Sequence, residues 1–292
     1  MQVNLSDLLP RRERLLDMTR VRAWLSGKRV AVTGGGGFIG SELARQVAAF
    51  GPAALTLIDT REEALWRMSR EVPSATAAFG DVRDARRMRV LLMHQDVVFH
   101  AAALKHLPVC EDSSEDAYHT NAVGTRHVVD AAVGAQIVLV STDKACRPSS
   151  VMGKTKLLAE QIVAGCGRGS IVRFGNVIGS TGSVVPLWQE QLDAGQPLTV
   201  TDPAMTRYMM TVGEAAELIL QAGALGAGCY VLDMGEPVRI DALCDDFVRL
   251  SGRRDVRRVY SGVRPGEKLH EQLSDAPLEP TEVEGVLRVV DL

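Results

Sequence analysis

The sequence predicts an α/β protein built on a doubly wound parallel sheet, with a smaller, interleaved C-terminal α/β domain. Short runs of β-branched and aliphatic residues alternate with helix-like stretches up to about position 176. Four consecutive glycines separate the first such run from the first helical stretch. Strands that alternate with helices build a parallel sheet covered on both faces. A chain of 292 residues, 46% of them hydrophobic, can bury the core of such a sheet.

The predicted elements can be placed in chain order. Arg29 to Thr33 forms the first strand, and the helix from Gly40 to Phe50 follows the glycines. A weak strand precedes Gly80. Beyond Asn176 the pattern changes to Gly- and Pro-punctuated segments with shorter helices. Four further buried strands and two later helices are predicted at Leu55–Asp59, Val97–His100, Ile137–Ser141, Ser170–Phe174, Gly213–Gly223 and Asp241–Ser251.

These elements suggest three parts of the chain. We expect an N-terminal segment over residues 1–26 and a nucleotide-binding domain over residues 27–176. Residues 177–292 should form mainly a substrate domain, with some segments returning to the first sheet.

Charge and composition exclude several classes of protein. The net charge of -3 is spread thinly and forms no basic stripe, so nucleic acid is not an expected partner. The five cysteines are scattered and never spaced as Cys-x-x-Cys, which predicts reduced thiols in the cytoplasm. Charged residues interrupt every apolar run before the roughly 18 to 20 residues that span a bilayer. Asp and Arg within residues 1–16 argue against a signal peptide.

The glycine-rich turn predicts a dinucleotide site of the Rossmann type. Gly34, Gly37 and Gly40 occupy the first, fourth and seventh positions of a Gly-x-x-Gly-x-x-Gly frame, with Phe38 and Ile39 between the last two. Glycines permit the tight turn and let backbone amides approach a pyrophosphate. The alternative is a plain glycine turn.

Two acidic residues are expected to bind the adenosine part of the cofactor. Asp59 ends the second strand, where a carboxylate can bind a ribose diol and repel a 2′-phosphate. This favours NAD, although the neighbouring Arg61 keeps NADP as the less favoured alternative. Asp81, followed by Val82, is placed to bind the adenine amino group. Its alternative role is a helix N-cap.

Longer motifs identify a family. The glycine frame, His100 with the Ala101, Ala102 and Ala103 that follow it, Asn121 and Lys156 together resemble the extended short-chain dehydrogenases/reductases. Seven segments, with Asp7-Leu8-Leu9, resemble more closely the CapD-like UDP-N-acetylglucosamine 4,6-dehydratases of polysaccharide biosynthesis. The segments are Ala103–Pro108, Ser141–Ala145, Val151–Lys156, Arg173–Ser180, Thr199–Asp202, Met205–Tyr208 and Arg264–Leu269.

The resemblance implies a reaction and its catalytic residues. Such an enzyme oxidises the sugar at C4 with bound NAD, eliminates water across C5 and C6, and returns the hydride to C6. The resemblance implies that neutral Lys144 takes the C5 proton and protonated Asp143 donates to the leaving hydroxyl. Burial should then raise the pKa of the acid and lower that of the amine. The alternative is an ordinary ion pair at a strand end.

Met152 departs from the broader superfamily, which carries tyrosine four residues before the lysine. Methionine cannot accept the proton of the hydroxyl being oxidised, so Thr142 is expected to relay it toward Asp143 or a water while Lys156 fixes the nicotinamide ribose. The same methionine occurs in a subgroup that retains the C5 configuration. An equally favoured interpretation of Met152 is a plain core residue that packs beside the nicotinamide.

The second domain should bind the UDP-sugar. A guanidinium matches phosphate oxygens, so Arg207 and Arg264 are candidates for the diphosphate, with solvated surface arginines as the alternative. Lys105 and His106 either line the sugar pocket or only shape a loop. The remaining substrate-binding candidates are Asn176, Thr199, Thr201 and Glu267.

Two other functions fit the scaffold. A UDP-sugar 4-epimerase needs only oxidation and re-reduction at C4 and has no use for the Asp143–Lys144 pair. The missing tyrosine also allows a catalytically silent regulatory protein that binds NAD and a UDP-sugar. Extended members often pair through helices, so a homo-oligomer is expected. The chain is either a natural short form or an excised catalytic segment of a membrane-anchored protein.

Overall fold

The computed structural model describes residues 3–9, 11 and 17–290. The strands are β1 Arg29–Thr33, β2 Ala54–Asp59, β3 Ala75–Phe79, β4 Val97–His100, β5 Gln136–Val140, β6 Gly169–Arg173, β7 Asn176–Val177, β8 Leu198–Val200, β9 Thr206–Arg207, β10 Met209–Met210, β11 Gly228–Leu232, β12 Val238–Arg239, β13 Arg258–Tyr260, β14 Leu278–Pro280 and β15 Val286–Val289.

The helices are α1 Thr19–Leu25, α2 Phe38–Ala48, α3 Glu62–Glu71, α4 Ala85–Leu92, α5 Leu107–Asp112, α6 Ser114–Tyr118, α7 Gly124–Ala131, α8 Val151–Ala164, α9 Val184–Asp193, α10 Val212–Leu225 and α11 Ile240–Ser251. Short 3-10 turns cover Leu5–Leu8 and Asp143–Ala145, and a π-helical turn covers His119–Val123.

A nine-stranded sheet forms the centre of the molecule, in the order β14-β15-β11-β6-β5-β4-β1-β2-β3. The pairing is parallel across the neighbouring strands β3, β2, β1, β4, β5, β6 and β11. Strands β15 and β14 then add an antiparallel edge. The predicted doubly wound α/β fold is confirmed. Three strands from the last third of the chain, β11, β14 and β15, lie in this main sheet.

Apolar side chains cover both faces of the sheet. One face packs against α1, α2 and α10 through residues such as Leu25, Leu43 and Ile219, and the other packs against α4, α7 and α8. A separate cluster joins the N-terminal segment to the C-terminal part, with Trp188 and Phe247 at its centre and their ring centroids 5.7 Å apart. Because helices pack their apolar side chains on each face of the sheet, the sheet is buried on both sides.

The observed helix bounds correct the predicted ones. Helix α2 begins at Phe38, two residues before the predicted Gly40, because Gly37 is extended and serves as the N-cap. Helix α10 is not a short helix. It extends over 14 residues, and a capping box of Thr211 and Glu214 fixes its start.

The parallel order decides where a ligand can bind. The carboxyl ends of β1, β2, β4, β5 and β6 meet at one edge of the sheet, and a polar residue ends or directly follows each of them: Thr33, Asp59, His100, Ser141 and Arg173. Within residues 3–9, 11 and 17–290, the structure contains no helix of the length and hydropathy that crossing a bilayer requires.

Candidate active site

The turn after β1 is packed too tightly for any residue but glycine. Gly34 has a φ of +68°, and a Cβ there would lie 2.7 Å from the backbone nitrogen of Ala102. A Cβ on Gly40 would lie 2.1 Å from the carbonyl oxygen of Gly34. No side chain caps the start of α2 at Gly37, so its first amides are left without a capping side chain at the turn. This cradle fits the pyrophosphate of a dinucleotide.

Asp59 lies beside the same turn. Its Oδ2 accepts a hydrogen bond from the Gly36 amide at 3.0 Å, and its Oδ1 accepts one from the Arg61 amide at 3.0 Å. The Arg61 guanidinium approaches the carboxylate to 3.3 Å while remaining 59% exposed. The carboxylate is therefore fixed at the end of β2, where a ribose diol can reach it.

Asp81 and Val82 follow β3. Asp81 accepts hydrogen bonds from the backbone and the guanidinium of Arg83, whose side-chain bonds hold the Asp81 pKa below its usual value. The alternative interpretation of Asp81 as a helix N-cap is wrong, because Asp84 caps α4 by accepting from the Arg87 amide. Val82 is buried.

Asn121 holds the loop after β4. Its side chain accepts from the Leu104 amide at 2.8 Å and donates to the Leu104 carbonyl at 2.9 Å and to Thr155. The amide group is thereby engaged by the protein, and it positions Ala101, Ala102 and Ala103 beside the glycine turn. Contact between these residues and a cofactor remains a prediction.

A buried histidine network escaped the sequence analysis. Thr125 donates to the Asn121 carbonyl, so its oxygen accepts from His100 Nε2, and Thr33 then donates to Nδ1 at 2.7 Å. Burial, with the charge of Lys156, lowers the pKa of His100 to about 3. The neutral ring ties β1 and β4 to the helical layer. The sequence placed His100 at the end of an apolar run and within a family motif, but it gave no sign of these hydrogen-bond partners.

Lys156 and Met152 lie on α8, one turn apart. The Lys156 ammonium donates to the Val140 carbonyl at 2.7 Å, and burial lowers the pKa of this lysine to about 8. Met152 is 4% exposed and packs with Cys110 and Ala117. The packing agrees with a core methionine, and no proton acceptor occupies the position of the superfamily tyrosine.

Asp143 and Lys144 meet at the end of β5. Lys144 Nζ lies 2.9 Å from Asp143 Oδ1, and Thr142 Oγ1 donates to the same oxygen at 2.9 Å. Asp143 is fully buried, and its Oδ2 has no hydrogen-bond partner among the described residues. Lys144 also approaches Asn176 Oδ1 at 3.4 Å. One carboxylate thus contacts a hydroxyl and an ammonium while keeping one oxygen available.

The expected direction of the Lys144 pKa is wrong for this state of the protein. Burial by itself lowers the pKa of Lys144, but attraction by Asp143 and Glu271 outweighs burial and raises it. The two side chains therefore form the ion pair that was considered as an alternative. An ion pair does not by itself exclude catalysis, since protonation of Asp143 would remove one of the two attractions.

Glu271 is a second residue that the sequence analysis missed. Its side chain is 2% exposed, and its Oε1 lies 3.4 Å from Lys144 Nζ. It stands two residues beyond the Arg264–Leu269 motif, where an acid in a charged segment reads as a solvated side chain. Only the tertiary contact distinguishes it.

The substrate-binding candidates are distributed unevenly. The Arg207 guanidinium donates to the carbonyls of Thr206 and Leu269 and to Glu267 Oε1 at 3.2 Å, and it is 5% exposed. Arg264 is exposed, and its amide lies 3.5 Å from Glu267 Oε2. Glu267 thus joins the two arginine-bearing segments.

Two other pairs of candidates mainly hold loops. Thr199 Oγ1 accepts from Gln191, and the Thr201 carbonyl accepts from the Gly262 amide. Lys105 donates to the Thr181 carbonyl at 3.1 Å, and the His106 ring packs on Gly182. Burial lowers the pKa of Lys105, and burial together with the Lys105 charge lowers that of His106. The structure brings Lys105 and His106 to the loop that follows β7.

Among the described residues, no three His, Cys, Asp or Glu side chains converge as metal ligands. A hydroxyl, a carboxylate and an ammonium meet at the end of β5, and the glycine cradle follows β1 at the same edge of the sheet. This set can move protons beside a bound dinucleotide.

Comparison with known proteins agrees with the geometry. Residues 30–290 match the model of a family described as "Polysaccharide biosynthesis protein". The chain is 43% identical to the probable polysaccharide biosynthesis protein EpsC of Bacillus subtilis and 41% identical to the capsular polysaccharide biosynthesis protein CapD of Staphylococcus aureus. Each match covers 93% of this chain and 49% of the relative, so the chain spans about half the length of these relatives. A protein of Rickettsia akari named UDP-glucose 4-epimerase is 34% identical over 74% of this chain and 66% of its own length.

Solved structures show the same fold. Pen from Bacillus thuringiensis superposes with a TM-score of 0.85 and 29% identity, covering 91% of this chain and 87% of its own. A double mutant of DesIV, a dTDP-glucose 4,6-dehydratase of Streptomyces venezuelae, with NAD bound, superposes with a TM-score of 0.75 and 25% identity, covering 84% of this chain and 88% of its own. The chain therefore belongs to the family of polysaccharide biosynthesis proteins, within the extended short-chain dehydrogenases/reductases.

Proposed function

We propose that this chain is an NAD-dependent UDP-N-acetylglucosamine 4,6-dehydratase that yields the 4-keto-6-deoxy sugar with the C5 configuration retained. The observation that carries the proposal is the pair of buried Asp143 and partly buried Lys144, with Nζ 2.9 Å from Oδ1 at the carboxyl end of β5. An enzyme that only oxidises and re-reduces C4 needs no acid and base aimed at C5 and C6. The named dehydratase among the solved structures supports the same reaction class.

The tightly packed glycine turn fits the pyrophosphate of NAD. Gly34, Gly37 and Gly40 would hold the pyrophosphate, Asp59 the adenosine ribose and Lys156 the nicotinamide ribose. NAD bound there would accept a hydride from C4 and later deliver one to C6. The neighbours with NAD bound support this choice over NADP, as does the carboxylate of Asp59.

Thr142 is proposed to receive the C4 hydroxyl proton. Its Oγ1 already donates to Asp143 Oδ1, so a proton gained from the sugar passes on to the carboxylate as its own proton moves. This relay replaces the tyrosine that Met152 displaces. It leaves Asp143 protonated at the moment when a general acid is needed.

Elimination then uses the two adjacent side chains. The C4 ketone acidifies the C5 hydrogen, and Lys144 in its neutral form removes it. Protonated Asp143 donates to the departing 6-hydroxyl, which leaves as water. Lys144 later returns a proton to C5 from the face that it deprotonated, and this return retains the configuration.

The UDP part of the substrate is proposed to lie across Arg207, Arg264 and Glu267. Guanidinium forks match diphosphate oxygens, and Glu267 orients Arg207 at 3.2 Å. Asn176, which is 3.4 Å from the Lys144 ammonium, would contact the sugar. Lys105 and His106 close the sugar pocket from the opposite loop, and Thr199 and Thr201 support the nucleotide end.

The relatives also favour a second candidate, a UDP-sugar 4-epimerase, since one of them carries that name. A single assay separates the candidates. Purified protein is incubated with NAD and UDP-N-acetylglucosamine in deuterated water, and the product is followed by proton NMR and mass spectrometry. The proposal predicts loss of one water and deuterium at C5.

Each other result assigns a different function. A product of unchanged mass with inverted C4 would establish the epimerase. Cofactor and UDP-sugar binding without any product, unaffected by Asp143→Asn, would establish a silent regulatory protein.

We also propose that the active protein is a homo-oligomer, and light scattering tests this. The cysteines, described as free thiols, support a reducing compartment such as the cytoplasm.

A further inference from the structure

Glu271 is buried against the proposed base. Its Oε1 lies 3.4 Å from Lys144 Nζ, and its side chain is 2% exposed. Its Oε2 has no hydrogen-bond partner among the described residues. Lys144 therefore lies between two buried carboxylates, those of Asp143 and Glu271, each of which keeps one oxygen available for a proton.

The proposed reaction leaves one proton unaccounted for. Lys144 is an ammonium in this structure, paired with both acids, yet it must be neutral to take the C5 proton. Oxidation at C4 puts a proton on Asp143 through Thr142. This step removes one of the two charges that hold Lys144 in its cationic form. The other charge, on Glu271, remains.

We infer that Glu271 is a positioning residue that takes up the surplus proton of Lys144 and so converts the ammonium into the base. This inference rests on the proposed dehydratase function. One N–H bond of Lys144 breaks and one O–H bond forms on Glu271, so an ion pair becomes an amine beside a carboxylic acid. A neutral pair is favoured once the substrate displaces water from the site, because burial disfavours charged forms.

The proton balance closes over one turnover. The C4 hydroxyl proton leaves with the 6-hydroxyl as water by way of Asp143. Lys144 takes the C5 proton and later returns one to C5. Glu271 then gives its proton back to Lys144. Both carboxylates and the ammonium are restored, so the protein releases no net proton.

The groups that face Glu271 allow this role. Lys144 Nζ is at 3.4 Å, and Lys268 Nζ is 3.9 Å from Oε2 while donating to the Cys146 carbonyl. The charges of Asp143 and Arg207 also act on Lys144: Asp143 raises its pKa and Arg207 lowers it. Lys268 is held by a carbonyl in a separate segment and approaches Oε2, which leaves Oε1 of Glu271 facing Lys144.

The test compares the pH profiles of kcat for the wild type and Glu271→Gln. The glutamine keeps the size of the side chain but cannot take up a proton. In the wild type the transfer is internal, so kcat should be flat near neutral pH. Glu271→Gln also removes a charge that holds Lys144 as an ammonium, but it leaves no group in the site to take the proton, which must then pass to solvent. We therefore expect kcat to fall by about 100-fold at neutral pH and to rise by up to about tenfold per pH unit as Lys144 deprotonates.

Two variants and one isotope measurement serve as controls. Glu271→Asp should recover much of the activity and the flat profile. Glu282→Gln removes the same charge from a side chain that is 61% exposed and should leave kcat unchanged. With substrate deuterated at C5, the primary isotope effect on kcat should increase in Glu271→Gln, because C5 deprotonation becomes limiting.

Three outcomes would overturn the inference. These are an unchanged kcat in Glu271→Gln, an equal loss at every pH with no change in isotope effect, and an increase in KM alone. Circular dichroism and UDP binding show whether the variant is folded, and Glu271→Asp supplies the profile if it is not. Failure of the proposed function would appear separately, as a wild type that eliminates no water.

Discussion

Glu160 and Arg173 form a buried ion pair just behind the proposed catalytic residues. Arg173 Nη2 lies 2.6 Å from Glu160 Oε2 and Nε lies 2.9 Å from Oε1, with the two side chains 0% and 4% exposed. Ser141, which precedes Thr142, donates to the same carboxylate at 2.5 Å. The pair thus joins β6, α8 and the end of β5.

We expect Glu160→Gln to lower the free energy of unfolding by about 3 to 5 kcal/mol, because it leaves a buried guanidinium without its counter-charge. Urea denaturation followed by circular dichroism measures this. Glu282→Gln, which breaks the exposed pair with Arg20, should cost no more than about 1 kcal/mol. Equal losses in the two variants would contradict the structural role of the buried pair.

Gly40→Ala should weaken NAD binding with a smaller effect on folding. The new Cβ would meet the Gly34 carbonyl oxygen at 2.1 Å and push the turn open. Isothermal titration should show at least about tenfold weaker affinity for NAD, which corresponds to about 1.4 kcal/mol. Gly213→Ala, whose Cβ meets only Thr211 Oγ1 at 3.8 Å, is the matched control and should bind normally.

The relay through Thr142 predicts opposite results for two substitutions. Thr142→Val removes the hydroxyl that contacts Asp143 at 2.9 Å and should lower kcat by about 100-fold. Thr142→Ser keeps the hydroxyl and should retain most of the activity. Met152→Tyr should leave turnover unchanged. If Met152→Tyr accelerated turnover while Thr142→Val had no effect, the relay would be wrong.

Lys156 should make stability depend on pH in the absence of cofactor. Burial lowers its pKa to about 8 from 10.5, so the unfolded chain binds the proton more tightly than the folded one. Stability should therefore rise between pH 8 and 10.5, by about 3 kcal/mol relative to Lys156→Met. Urea denaturation of both proteins across this range measures the difference. A constant difference would show that the lysine is not desolvated.

Local patterns predicted most of the sheet. Strand β1 was predicted with its exact bounds and β4 likewise, because both are continuous apolar runs with no competing helical period. The start of α2 was missed because Phe38 and Ile39 read as part of the turn. The paired strands β7 and β10 were not predicted, since two-residue strands carry too few side chains to show a period.

The catalytic candidates were predicted from motifs, but their ionic state was not. The adjacent Asp143 and Lys144 are visible in the sequence, as is the methionine at position 152. The charge on Lys144 depends on Glu271, which a distant segment brings within 3.4 Å. Asp81 illustrates the same limit, because a helix cap was the alternative role for Asp81 and the structure gives that cap to Asp84.

The sequence by itself determined the strand–glycine turn–helix unit, the parallel order that such units produce, and the kinds of chemical group at each strand end. These depend on backbone sterics and hydrophobic period, which act between near neighbours. Only the tertiary structure decided which acid neutralises which base, that Arg207 is tied to Glu267, and that His100 is neutral. Charge state depends on burial and on partners far away in the chain, and no local pattern records either.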